Sequence, residues 1–195
     1  MFNSPVLKSI LKDITLQNRL GLCLPLVLVL LIPCILHADI VDSSATGLTV
    51  RSRVAITATP ARVYNHIISD VGLWWNSAHT WSGNSQNLTI DTRAGGCFCE
   101  KLANGGSAEH MRVVYAAPGK MLRLSGALGP FQSLAVTGTM TWTLTKSDQG
   151  TVLVVEYTLG GYRPGGMAPV AGAVDYVITE QVSRLKRFIE TGKPD

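Results

Sequence analysis

No Gly-x-Ser-x-Gly elbow, glycine-rich phosphate loop, dinucleotide fingerprint, His-Glu-x-x-His pair or serine–histidine–acid order occurs in this chain, so the enzyme classes built on them have no support. Basic runs with interleaved aromatics are also missing, which excludes a nucleic-acid partner despite a net charge of +4. There is no internal repeat. Cysteine is scarce, with four residues in all, and two of them, Cys23 and Cys34, fall in one apolar N-terminal run.

That run is the first positive feature. Lys8, Lys12 and Arg19 precede an almost wholly apolar stretch from Leu20 to Leu36, and Leu36-His37-Ala38 precedes the acidic Asp39. This is the charged, apolar and small-residue order of a secretory signal peptide, with cleavage expected after Ala38. The alternative is an uncleaved anchor with its N-terminus inside, although Pro25 and Pro33 interrupt a stretch already short for spanning a bilayer. Cys34 follows Pro33 and lacks a lipoprotein context. Residues 1–38 are therefore set apart as signal or anchor, and residues 39–195 are expected to form one domain, exported to the periplasm or secreted. Contact with a membrane is expected only through the N-terminal segment, if it is retained. Without Lys8, Lys12, Arg19 and Asp13, the 17 basic and 13 acidic residues become 14 and 12, a net charge of only +2.

The residues with most chemical capacity lie between Arg93 and Val114, RAGGCFCEKLANGGSAEHMRVV. Asn104-Gly105 is a strong two-residue hairpin signal, because both residues tolerate positive φ. Counting outward from it sets Glu100 opposite Glu109, Cys99 opposite His110, Phe98 opposite Met111 and Cys97 opposite Arg112. Period-2 alternation then puts Phe98, Glu100, Leu102, Glu109, Met111 and Val113 on one face. Cys97, Cys99, Lys101, His110 and Arg112 fall on the other. The first face is the more apolar and is taken as inward, which would set two carboxylates against each other and raise the pKa of one. The plain alternative is that both glutamates are solvated at the hairpin rim. On the second face Cys97, Cys99 and His110, with His79 approaching from elsewhere, could hold Zn²⁺, although C-x-C in a strand is not a zinc-finger spacing. Neighbouring cysteines in a flat strand stand too far apart for an easy bridge, so free thiols are the expectation.

The rest of the chain reads as strands and two main helices. Leu48–Thr57 alternates loosely. Thr59-Pro60 is an N-cap followed by a first helical residue, with Val63, Tyr64, Ile67 and Ile68 as one stripe ending near Asp70. Val71–Gly83 collects Trp74, Trp75, Trp81 and His79, either as a plug of the core or as one wall of a pocket. Leu88–Thr92, Met121–Ala127, Val136–Thr145 and a run through Leu153, Val155, Tyr157 and Leu159 read as strands, the third with five threonines on its wet side. Gly160–Gly166 reads as a flexible connection or lid. An amphipathic helix from about Val170 to Thr191 closes the chain.

This order resembles the helix-grip fold of the START-like, or SRPBCC, superfamily, an α+β fold with a curved antiparallel sheet around a long C-terminal helix. It is most similar to bacterial proteins related to the Hsp90 ATPase activator and to polyketide cyclases and dehydrases. The residues that carry it are Thr59-Pro60 with Val63-Tyr64, Trp74-Trp75, Gly95-Gly96-x-Phe98, Pro118 with Leu122, Gly150-Thr151 and the last helix. The resemblance implies a cavity between sheet and helix for a hydrophobic or aromatic small molecule, and no cofactor. The expected walls are Trp74, Trp75, Met140, Trp142, Val155 and Tyr157, with Glu100, Glu109 and His79 orienting the ligand in a carrier or sensor. An enzyme of cyclase, dehydratase or hydrolase type would instead use Glu100 and Glu109 as an acid/base pair, with His79 or His110 assisting. A metal or redox protein would use Cys97, Cys99 and His110. The intracellular co-chaperone role is at odds with a signal peptide.

Overall fold

A computed structural model describes residues 37–195. The signal or anchor segment lies outside these residues except for its last two. Among the described residues no helix is long and apolar enough to cross a membrane.

Eight strands form one antiparallel sheet: β1 (His37–Ser43), β2 (Gly47–Ile56), β3 (Leu88–Ile90), β4 (Cys97–Lys101), β5 (Ser107–Ala117), β6 (Met121–Gly126), β7 (Ala135–Ser147) and β8 (Gly150–Tyr162). Their spatial order is β1-β2-β8-β7-β6-β5-β4-β3. The sheet is open and curves about a long C-terminal helix, as in the helix-grip fold. The segment from Asp39, which reads as a polar lead, is instead an edge strand. Its pairing with β2 sets Ile40 opposite Val50.

Alternation decides which way the long strands face. In β7, Val136, Met140, Trp142 and Leu144 are buried, and in β8 so are Leu153, Val155, Tyr157 and Leu159. The two strands pair from Ala135↔Tyr162 to Ser147↔Gly150, so these residues share one inner face. Two main helices cover it. α1 (Pro60–Ser69) starts where the Thr59 side chain accepts from Arg62 N–H and buries Val63, Tyr64 and Ile67. The single turn α2 (Val71–Trp74) follows directly. α3 (Ala171–Thr191) buries Val174, Ile178, Val182, Leu185 and Ile189 and ends at Gly192, whose φ of 79° takes the left-handed C-terminal position. Packing of α3 against β1 and β2 leaves its first turns facing the β4–β5 hairpin across a gap.

Candidate functional site

The hairpin between β4 and β5 is built differently from the two-residue pattern. Leu102 N–H donates to Gly106 O and Gly106 N–H to Ala103 O, so Ala103, Asn104 and Gly105 form a three-residue loop with φ of 57° at Asn104 and 77° at Gly105. Near the loop the register is Glu100↔Ala108 and Cys99↔Glu109, whereas beyond it Phe98↔Met111 and Cys97↔Arg112 hold as counted. His110 is the extra residue between these two registers. Such a β-bulge leaves one residue unpaired and re-aims its side chain.

The bulge changes which residues meet. Glu100 is inward as expected and only 1% exposed, but His110 is inward too, at 5%, while Glu109 faces solvent in an ion pair with Arg112 at 2.5 Å. The opposed carboxylate pair is therefore corrected to a buried Glu100–His110 pair, with Nε2 to Oε2 at 2.9 Å. Glu100 also accepts from the backbone N–H groups of Trp81 at 3.0 Å and Ser82 at 2.5 Å. Burial pushes the Glu100 pKa up, but the hydrogen bonds from Ser82, Trp81 and His110 outweigh it and hold the carboxyl below its ordinary value. Since an ionised carboxylate only accepts, Nε2 of His110 carries the proton. The other ring nitrogen, Nδ1, makes no hydrogen bond among the described residues.

His110 lines a cavity of about 470 Å³ between the sheet and α3. Its walls are mostly apolar: Trp75, Phe98 and Leu88 on one side, Val174, Val177 and Ile178 of α3 on another. Tyr157 reaches it from β8. The Tyr157 oxygen accepts from Leu128 N–H at 3.0 Å, which leaves its own hydroxyl proton free to donate. Burial raises the Tyr157 pKa, only partly offset by that Leu128 bond, so the phenol stays protonated. His79 also lines the cavity, and its Nε2 lies 2.9 Å from Oε2 of Glu180 on α3. The result is a mostly apolar space with a few polar side chains, among them Tyr157, His110 and His79, the usual composition of a small-molecule site.

A sequence model of one family, described as polyketide cyclase / dehydrase and lipid transport, matches residues 47–190. The chain belongs to this family. No curated protein matches it. Solved structures give the fold at low identity. A conserved protein of unknown function from Enterococcus faecalis, EF2215, is 16% identical over 80% of this chain and 78% of its own, with a TM-score of 0.54. CalU16 from Micromonospora echinospora is 15% identical over 82% and 86%, TM-score 0.52. DynU16, from the dynemicin biosynthetic locus, is 21% identical over 75% of this chain, TM-score 0.54, but the match spans only 48% of DynU16.

Within this polyketide cyclase/dehydrase-family fold the residues singled out from sequence divide. Trp75, His79 and Tyr157 line the cavity, and Glu100 stands behind it through His110. Trp74, Met140 and Trp142 do not line it. Trp74 Nε1 donates to His66 O at 2.9 Å and its ring meets Trp142 edge-on, so both belong to the core beneath α1, with Val155 and Met140 beside them. Gly160–Gly166 is less free than its glycines suggest: just beyond it, Met167 N–H donates to Ala45 O and Ala168 N–H to Ser44 O. Arg163 and Phe131 line the cavity without having been picked out, since a lone Arg among glycines reads as a solvated loop.

The cysteines are a second correction. Cys97 and Cys99 are joined as a disulfide, with Cα atoms 5.3 Å apart, within the bridging range. Two residues of regular strand span about 6.6 Å. The shortened span lies across the point where β4 changes register against the bulged β5. The thiols are thus paired on the outer face while His110 points inward, which separates the proposed Cys97, Cys99 and His110 ligand set. Among the described residues no group of three or more His, Cys, Asp or Glu is placed to hold a metal. Alkylation of the unreduced protein is expected to leave the tryptic peptide 94–101 unmodified, and dithiothreitol to expose two sites on it. Labelling of both cysteines before reduction would show the pair to be open.

Proposed function

We propose that this protein is an exported carrier or sensor of a hydrophobic, aromatic-type small molecule. The cavity carries the reading, because a space of about 470 Å³ lined by Trp75, Phe98 and α3 aliphatics has room for a molecule of several rings. His110 Nδ1 and the Tyr157 hydroxyl would hydrogen-bond polar groups of the ligand, fixing orientation inside a mostly apolar volume. The leader-like N-terminal sequence supports export. Native mass spectrometry of protein exported by a bacterial host tests both parts. A chain beginning near Asp39 with an organic mass lost on denaturation is the expected result. A chain with its N-terminal segment intact and recovered from the cytoplasm would overturn the export half. Failure to bind any member of a hydrophobic ligand panel would overturn the other.

A second reading has its own observation, the ionised carboxylate behind His110. Glu100 orients the ring and would stabilise its protonated form, as a general base in a cyclase or dehydratase requires. In that case His110, not Glu109, is the catalytic residue, and Glu100 is its positioning residue.

A further inference from the structure

The charges around the cavity are unequally satisfied. Of its two histidines, His79 faces Glu180 and His110 faces Glu100. Arg163 is the only Arg, Lys, Asp or Glu that lines the space, and it belongs to no ion pair among the described residues. Arg51, Arg93, Arg112 and Arg184 each face a carboxylate, whereas Arg53, Arg62, Arg123 and Arg187 are as unpaired as Arg163 among the described residues but do not line the cavity, and it is this position that sets Arg163 apart.

The geometry of Arg163 is that of a held but unfinished contact. It follows β8 directly and is half-buried between the exposed Tyr162 and Pro164, which places it on the open side of the cavity. Gly166 N–H donates to Arg163 O at 2.9 Å, closing a tight turn that needs positive φ at Gly165 (82°) and Gly166 (76°). Nη1 donates back into that turn, to Gly166 O at 2.8 Å and Pro164 O at 3.2 Å. The guanidinium is therefore anchored through one nitrogen. Nε and Nη2, the two donors of one edge of the fork, have no partner among the described residues. That edge matches a planar carboxylate with two parallel hydrogen bonds, and a guanidinium is the side chain suited to this. A cation without a counter-ion beside an apolar wall also concentrates anions at the opening.

We infer that the ligand is a hydrophobic carboxylic acid, bound with its apolar body in the cavity and its carboxylate on the Nε–Nη2 edge of Arg163. This rests on the small-molecule reading above and adds the charge and direction of the ligand. On that placement the body occupies the cavity that Tyr157 and His110, both buried, also line.

The test uses the full chain and two fluorescent probes of matched shape, 1-pyrenebutyric acid and 1-pyrenebutanol, titrated at pH 7.5. The acid is expected to bind about tenfold tighter than the alcohol, a difference of about 1.4 kcal/mol. The preference should shrink as salt is raised. In Arg163→Gln the ratio should fall to about twofold or less, and Arg163→Lys, which keeps the charge but not the fork, should fall between. Reading the ratio within each variant separates loss of the anion contact from loosening of the turn. Equal binding of both probes by the unaltered protein, or a ratio unchanged in Arg163→Gln, would overturn the inference while leaving a hydrophobic carrier in place. Binding of neither probe would count against the carrier reading itself, and this inference would fall with it.

Discussion

Glu100→Ala is expected to lower the free energy of unfolding by about 3–4 kcal/mol, measured by urea denaturation at pH 7. Three donors converge on this carboxylate: Trp81 N–H, Ser82 N–H and His110 Nε2, at 3.0, 2.5 and 2.9 Å. Glu100 is 1% exposed and His110 5%, so water replaces the lost acceptor poorly and the orphaned donors bear their desolvation cost. The segment that carries Trp81 and Ser82 also walls the cavity, which couples this stability to probe binding. Glu100→Gln keeps the shape but turns an amide N–H₂ toward groups that already donate, and should cost about 1–3 kcal/mol. The pH dependence has a definite sign. The folded-state pKa of Glu100 lies below its ordinary value of 4.5, so its contribution is complete above about pH 4.5 and is lost as pH falls through the folded value. Stability of the unaltered protein should therefore drop more steeply with acidification below pH 4.5 than that of Glu100→Gln. Parallel curves would mean that Glu100 is not held ionised by these bonds.

Much of the architecture is legible in the residues because it follows from periodicity and end signals. Thr59-Pro60, the stripe of the last helix and the threonine alternation of β7 each state one physical requirement in a form that local sequence can carry. The hairpin shows where this stops. Asn104-Gly105 marks the turn, yet the register beyond it depends on whether one residue bulges, and Glu-His-Met reads equally well with or without an extra position. A one-residue shift moved Glu109 to solvent and His110 to the cavity, exchanging a carboxylate pair for a carboxylate–imidazole pair. The disulfide was not legible either, since a regular strand holds residues two apart at about 6.6 Å and only the shorter 5.3 Å span found here brings Cys97 and Cys99 together. Consecutive tryptophans posed another limit: Trp74 turns under α1 and Trp75 toward the cavity, and composition alone cannot say which of two adjacent, mutually packed indoles lines it.

That division between core and cavity leads to a pair of opposite outcomes. Val177→Trp introduces an indole on the α3 wall of the 470 Å³ cavity, where there is space to receive it. Filling a void avoids the usual overpacking cost, so unfolding free energy should change by less than about 1 kcal/mol. The occupied volume is then unavailable to a ligand, and 1-pyrenebutyric acid should bind at least about thirtyfold more weakly, a loss of about 2 kcal/mol. Trp74→Ala should do the reverse. It removes a side chain 1% exposed, with its hydrogen bond to His66 O and its edge contact with Trp142, at a cost of about 3–5 kcal/mol in stability. Since Trp74 does not line the cavity, the fraction that remains folded should bind the probe within about threefold of normal, about 0.6 kcal/mol. Unimpaired binding in Val177→Trp would place the probe elsewhere on the molecule. Loss of binding in a stable Trp74→Ala would return that tryptophan to the wall of the site and move the cavity's boundary toward α1.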